Sequence, residues 1–397
     1  MILVYIGGCI LGCSLGVVTG LTPGIHVNTL LPFLAFLPGS GEVGACIIFS
    51  LAVTHTVLDF IPSTLFGVPD ADTALSVLPA HTLLLSGRGY EAIKLTVMGS
   101  LGALILSCVI AVPLMYCIPV VYQGVSPYLK YILLALVVFI IGSETSLTKI
   151  GYAAFIFVLS GVYGYIVLSG HIIPENVVLF PVFCGLFGMS TLLYSLRGQN
   201  QIPLQPIDSR VHLQTLQIFL NIVKGTVAGV MVSLFPGIGP AHATAVLSIR
   251  SSPRQFLVAV SGVNTANAVC ALIGLYAFGK ARSGAVAAIQ DITHITKPCV
   301  ILLLSCSLIA AGIASVAALY IARSILGILS HLPYRNVTAF ICVVLLVMSY
   351  VITGLTGWLV MGIGCCIGIL PILLGVRRSH CMGVLLFPIL IYSFGFS

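Results

Sequence analysis

Long apolar runs, cut by proline-glycine pairs and short polar turns, set the pattern of this chain. A first run covers residues 2–20 and stops at Thr22-Pro23-Gly24. A short apolar piece over about 25–37 follows, then a turn at 38–42 and a run over 43–60. Residues 63–74 are too polar for lipid and too apolar for an ordinary loop. A basic turn, Gly87-Arg88-Gly89-Tyr90-Glu91-Ala92-Ile93-Lys94, leads into a run to about 121, followed by runs near 131–141, 152–168 and 177–196. After a polar stretch the order repeats: a run to 234, a break at Phe235-Pro236-Gly237-Ile238-Gly239-Pro240, and a short piece to 249. A basic turn at 250–254 and a run containing Asn264, Thr265 and Asn267 come next. A polar insert at 279–284 precedes runs near 300–320, 337–352, 358–374 and 382–394.

Runs of this length approach or exceed the ~18–20 apolar residues that cross a bilayer as a helix. Proline inside such a run removes a donor and clashes with the preceding turn, so the helix stops there. Glycine next to it opens backbone angles closed to other residues. Landmarks recur in order, Pro23-Gly24-Ile25 with Pro236-Gly237-Ile238 and Phe180-Pro181 with Phe387-Pro388. The expectation is an all-α, polytopic membrane protein with two repeats. Each carries a re-entrant hairpin broken at Pro-Gly and a broken helix, over 1–200 and 212–397, joined by a polar linker at 201–211.

Composition supports the membrane reading. Hydrophobic residues make up 59% of the chain and charged residues 6%, with a mean hydropathy of +1.20; soluble domains carry about 25% charge. A β-barrel would show short alternating strands. The 41 glycines suit close helix packing in lipid. The 13 cysteines include no CxxC pair, so no metal site is expected. Met1-Ile2-Leu3-Val4 has no basic segment, which argues against a cleaved signal peptide. No HExxH or GxGD segment points to an intramembrane protease, and nothing reads as a nucleic-acid surface, so an enzyme is not expected.

The net charge of +7 reads as loop orientation. Inverting the second half places most bases on one side, including Arg88, Lys94, Lys149, Arg254, Arg377 and Arg378, with Lys130 and Lys297 outside. That agrees with the positive-inside rule; parallel repeats would not. Inverted repeats with broken helices are a recurring plan of secondary transporters.

Half-helix N-termini offer free N–H groups and a partial positive charge, which suit a carboxylate or phosphate. The candidate substrate-binding residues are Pro23, Gly24, Ile25, His26, Asn28, Thr29, Ser63, Thr64, Pro236, Gly237, Gly239, His242, Thr244, Asn264 and Asn267. Asp59, Asp70 and Asp72 are candidate ion-coupling groups, because intramembrane carboxylates are costly and tend to mark ion pathways. Their alternative roles are pairing with Lys280 and Arg282, or capping a short helix near Ala71. No catalytic residue, metal ligand or cofactor is expected beyond Na+ or H+ as a coupling ion.

The chain resembles the large permease subunit (TctA) of tripartite tricarboxylate transporters. The resemblance rests on Pro23-Gly24 before an apolar half-helix, Leu65-Phe66-Gly67-Val68-Pro69-Asp70-Ala71, Leu78-Pro79-Ala80 and the 87–92 turn. Residues 235–240 and 262–267 resemble that family's second half. Where the family has Asn-Thr-Pro-Gly-Thr, this chain has Phe66-Gly67-Val68-Pro69-Asp70, which adds a carboxylate. The chain is also shorter than typical members and looks like a divergent, archaeal-like one. The resemblance implies a plasma-membrane, multi-pass carrier of small di- or tricarboxylates working with a small membrane subunit and an extracytoplasmic binding protein. Self-association is the other partnership open to it. An alternative is a translocase of polyprenyl phosphate or another anionic lipid, using the same half-helix termini.

Overall fold

The first helix stops at Thr22-Pro23-Gly24, whereas Pro119, Pro371 and Pro388 lie inside helices. The computed structural model describes residues 1–24, 27, 41–70, 72–175, 177–196, 203–207, 210–234, 239–249, 251–279, 281, 283–329 and 332–395. Ile25, His26, Asn28, Thr29, Ala71, Pro236, Gly237, Lys280 and Arg282 lie outside the described residues.

The described chain is helical. In order it forms α1 (Ile2–Leu21), α2 (Gly41–Leu58), α3 (Val77–Leu85), α4 (Gly89–Val109), α5 (Ala111–Val125), α6 (Leu129–Gly142), α7 (Leu147–Ser169) and α8 (Leu179–Ser195). Then come α9 (Thr215–Leu234), α10 (Pro240–Leu247), α11 (Pro253–Phe278), α12 (Gly284–Ile292), α13 (Lys297–Leu329), α14 (Tyr334–Leu374) and α15 (Gly383–Ser393). Among the described residues, nine helical stretches are long and apolar enough to cross a bilayer.

Some ends differ from the sequence expectation. The run near 131–141 is the second part of a stretch covering Ala111–Gly142. The 41 residues of α14 would run about 60 Å if straight, twice the ~30 Å hydrocarbon core. Instead the chain turns at Gly354, whose φ is 67°. Trp358 Nε1 donates to Leu346 O at 2.7 Å, and its ring lies 5.3 Å from that of Tyr350. Residues twelve apart on a straight helix sit about 18 Å apart, so the two arms fold back on each other. The expected runs 337–352 and 358–374 are these arms. The stretch after α2 contains a π-turn at Pro62–Phe66, ended by Gly67 at φ 67°; α11 ends in the same left-handed way, at Gly279 with φ 66°.

Close packing rests on small residues at matching places in the two halves. α1 lies on α2 through Gly12, Gly16 and Gly20, and α9 lies on α11 through Gly225 and Gly229. A Cβ built on Gly16 would sit 2.7 Å from Leu51 O, and one on Gly229 2.7 Å from Val263 O. Such contacts bring backbones together where lipid supplies no hydrophobic drive.

The halves also exchange partners: α2 packs on α13 and α12, while α11 packs on α4 and α3. Likewise α15 packs on α7, and α14 on the π-segment of α8, Cys184–Met189. The start of α2 (Cys46, Ile48) shares a core cluster with the end of α11 (Leu272, Ile273) and the start of α13 (Cys299, Leu303). The end of α2 (Leu58, Ile61) clusters with the start of α4 (Ile93, Val97) and the far part of α13 (Ala318, Leu326). Ala92 and Leu95 at the start of α4 meet Leu257 and Val258 at the start of α11. α2 therefore runs opposite to α11, and α4 opposite to α13.

Filling the α1–α2 seam should loosen the fold. Gly16→Leu is expected to cost about 1–3 kcal/mol, as overpacking does. Gly124→Ala, where a Cβ meets nothing within 4 Å, should stay within about 0.5 kcal/mol. Thermal unfolding in detergent measures both, and equal midpoints would contradict the seam.

Candidate functional site

The first break brings three polar elements together. α1 ends at Thr22, and Pro23-Gly24 follows with Gly24 at φ 79°. The Gly24 site is closed: a Cβ there would lie 2.9 Å from both Phe180 and Ile352. Opposite, α2 carries His55 and leads to Asp59, and the stretch after the π-turn carries Asp70. His55 Nδ1 lies 3.1 Å from Thr19 Oγ1, and its Nε2 lies 3.6 Å from Asp70 Oδ2. Asp70 N–H donates to Thr73 Oγ1 at 3.0 Å, which fixes the loop bearing the carboxylate.

Asp59 is 6% exposed, and its Oδ1 has no hydrogen-bond partner among the described residues. Thr19, Gly20, Thr22, Pro23, Gly24, His55, Asp59 and Asp70 line a cavity of about 10 Å³. That is room for one water or one small cation. Two carboxylates, an imidazole and two hydroxyls surround this small space; among the described residues no three acidic, histidine or cysteine side chains are grouped as a metal ion would need. Asp72 lies in the turn beyond Asp70 and does not line the cavity.

At the second break, α10 begins at Pro240 after Gly239. His242 Nδ1 accepts the Gly239 N–H at 2.9 Å, so the imidazole satisfies one of the free donors at the start of this half-helix. The other ring nitrogen, Nε2, is buried without a hydrogen-bond partner among the described residues. Thr244 donates to Ala241 O at 2.8 Å and Ser63 to Phe60 O at 3.1 Å, so both hydroxyl protons are used within their own helices. Thr64 Oγ1 and both polar atoms of the Asn264 side chain are buried with no hydrogen-bond partner among the described residues; Asn267 is half-buried. The helix after the second break packs on the elements that follow the first site. Ala241 and Ala245 of α10 share a core cluster with Phe60, Ala74 and Leu75, which flank the first site. Val27 and Leu234, beside the two breaks, share another.

Ionic contacts that sequence reasoning missed tie the halves at one end. Glu91, fully buried, receives Arg254 Nε at 2.8 Å and Nη2 at 3.2 Å, Arg88 Nη1 at 3.3 Å, and the His212 N–H at 2.7 Å. The polar linker docks beside it, with Gln205 Oε1 accepting the Gly89 N–H and Gln205 Nε2 donating to Leu84 O, both at 2.8 Å. Glu144, in the turn between α6 and α7, lies 2.8 Å from His380 Nε2 and accepts the Arg377 N–H at 3.1 Å. Clustered bases near acids were visible in the sequence, but partners more than a hundred residues apart were not. His55 was legible only as the polar end of an apolar run.

A helical chain with nine such apolar stretches, broken at polar sites inside the bundle, is a multi-pass membrane protein. Residues 6–383 match the family described as the tripartite tricarboxylate transporter TctA family. The chain belongs to that family, whose members are plasma-membrane permease subunits that work with other subunits of a tripartite transporter. It is similar to an uncharacterized protein of Methanocaldococcus jannaschii, 30% identical over 401 residues that cover 96% of this chain and 97% of that one. No solved structure matches it.

The Glu144 contact carries a pH signature. Burial pushes its carboxyl up, but the His380 hydrogen bond and the Arg377 N–H outweigh that and hold it below the usual 4.5. A lowered folded-state value stabilises the fold above about 4.5, and that contribution is lost as pH falls through the folded value. Wild type should therefore melt above Glu144→Gln at pH 7, with the gap closing below about pH 4.5. A gap that stays constant with pH would contradict the contact.

Proposed function

We propose that this protein is a secondary transporter of a small di- or tricarboxylate, coupled to H+ or Na+. In this reading two inverted repeats alternate access around the half-helices at Pro23-Gly24 and Pro236-Gly237. The observation that carries the reading is the first break. There a helix stopped inside the bundle meets His55, Asp59 and Asp70 around a space sized for one small cation. The antiparallel runs of α2 with α11 and of α4 with α13, and the exchange of packing partners, support the inverted repeats. They argue for a boundary near 201–211, the linker that docks on Gly89. The packing of Ala241 and Ala245 in the core cluster of Phe60, Ala74 and Leu75 supports a shared anion site, with half-helix N–H groups facing the substrate carboxylate.

The division of labour follows from charge. N–H groups and the helix dipole attract an anion, whereas buried carboxylates attract a proton or metal cation and repel a second anion. Asp59 and Asp70 therefore bind the coupling ion beside the substrate, and its positive charge lowers the cost of bringing a carboxylate into the bundle. Ser63, Thr64, Asn264 and His242 line the substrate side. In the tripartite arrangement, a binding protein delivers the solute and a small membrane subunit completes the permease.

Uptake of labelled citrate or succinate into vesicles tests the assignment. Gly24→Val should reduce uptake at least about tenfold while the protein stays in the membrane, because the added side chain clashes with Phe180 and Ile352. Asp59→Asn should retain carboxylate binding but lose the dependence of uptake on the proton or sodium gradient. Full uptake by Gly24→Val, or an unchanged gradient dependence in Asp59→Asn, would overturn the respective role.

A further inference from the structure

A buried arginine away from both breaks carries an inference of its own. Arg378 follows the end of α14 and is 7% exposed. Its guanidinium donates to Thr191 Oγ1, to Ser190 Oγ, and to Leu186 O at 2.6 Å, and it lies 5.4 Å over the Phe187 ring. All these partners are neutral. Among the described residues no carboxylate lies within ion-pair distance of it, whereas Arg88, Arg254 and His380 each have one. Its Nε and the neighbouring Ser379 Oγ are both buried with no hydrogen-bond partner among the described residues.

Both residues border open space, although these two atoms themselves are shielded from it. Arg378 and Ser379 line a cavity of about 190 Å³ with Phe187, Ser248, Ser251 and Phe256. Arg378 also lines an adjoining cavity of about 730 Å³, walled by α3, the end of α8 and the end of α14, where His81, Thr82, Tyr194 and Ser195 supply polar surface. Together the cavities separate first-half elements from second-half ones at the end held by Glu91 and Arg254. A buried cation is stable only when paired and hydrogen-bonded, and a guanidinium presents its donors in a fork that matches an oxyanion. The neighbouring base Arg377 also lines both cavities, with its guanidinium bonded to Ser143 Oγ at 2.6 Å and to Ser143 O.

We infer that the space between α3 and the end of α14 is a second oxyanion site, in which Arg378 and Ser379 bind the carboxylate of a small organic acid or the phosphate of an anionic lipid headgroup. Its cavity reaches Ala74 and Leu75, which flank the first site, and Ser248 at the end of α10, but includes none of Asp59, Asp70 and Asp72. On the positive-inside orientation it opens toward the cytoplasm. Arg378 holds the carbonyl of Leu186 within the same π-segment whose Gly188 lies against Pro69, where a Cβ would sit 2.7 Å away. Occupancy of the site is thus mechanically one π-turn from the loop that bears Asp70.

The test is thermal unfolding of purified protein in nanodiscs, with three arms at matched ionic strength. The arms are citrate in phosphatidylcholine, inorganic phosphate in phosphatidylcholine, and phosphatidylglycerol with no added anion. Wild type should be stabilised in at least one arm; a response to citrate or phosphate identifies a free anion, and a response to phosphatidylglycerol alone a lipid. Measured in a Gly24→Val background, where the substrate site at the first break is blocked, Arg378→Gln should lose that response, and Ser379→Ala should need at least about tenfold more ligand. If Arg378→Gln does not fold, a cysteine placed at Ser195 reports instead. Its maleimide modification, followed by mass spectrometry of that peptide, should slow in the responding arm. No response in any arm, an undiminished response in Arg378→Gln, or unchanged labelling at position 195 would overturn the site.

Discussion

A helix cut inside a hydrocarbon layer leaves N–H and C=O groups that lipid cannot satisfy, and the rest of this structure follows from where those cuts are covered. Unsatisfied backbone at that depth survives only against protein or in a polar cavity. Here α1 stops at Thr22, and the seam of Gly12, Gly16 and Gly20 brings α2 close enough for His55 and Asp59 to reach the break. The second break solves the same problem differently. His242 turns its own ring back onto the Gly239 N–H, Pro240 has no N–H to satisfy, and the His242 N–H donates to Gly239 O at 3.0 Å, so the chain closes most of this helix start itself.

The paired halves give this local arrangement a global form. α2 runs against α11 and α4 against α13, and α2 packs on α13 and α12 while α11 packs on α4 and α3. Glu91 and Glu144 fasten that arrangement at points where charged groups from distant parts of the chain would otherwise repel. A rigid frame of long helices with a small acidic cavity at its breaks is the kind of construction in which a bound cation can bias the position of a loop.

The apolar runs, the two breaks and the all-helical class were legible in the sequence because bilayer thickness and proline chemistry act locally. The two arms of α14 were legible for the same reason, although Gly354 rather than a polar turn separates them. Asp59 and Asp70 stood out by their cost in lipid. What could not be read was burial that depends on remote partners. Arg378 looked like one more base in a positive loop, yet it lies under Phe187 and Thr191. Gln205 looked like linker, yet it caps the start of α4. His55 becomes part of the site only once Thr19 and Asp70 are folded onto it.

The central claim is that the cavity at the first break couples a cation gradient to the movement of a carboxylate. It is tested most directly by concentrative uptake of labelled citrate by wild-type protein in sealed vesicles, with the binding protein and small subunit supplied. A proton or sodium gradient is imposed, then collapsed by an ionophore. The account predicts accumulation above the external concentration that vanishes when one of the two gradients is collapsed. Equilibration to the external concentration regardless of either gradient would contradict it.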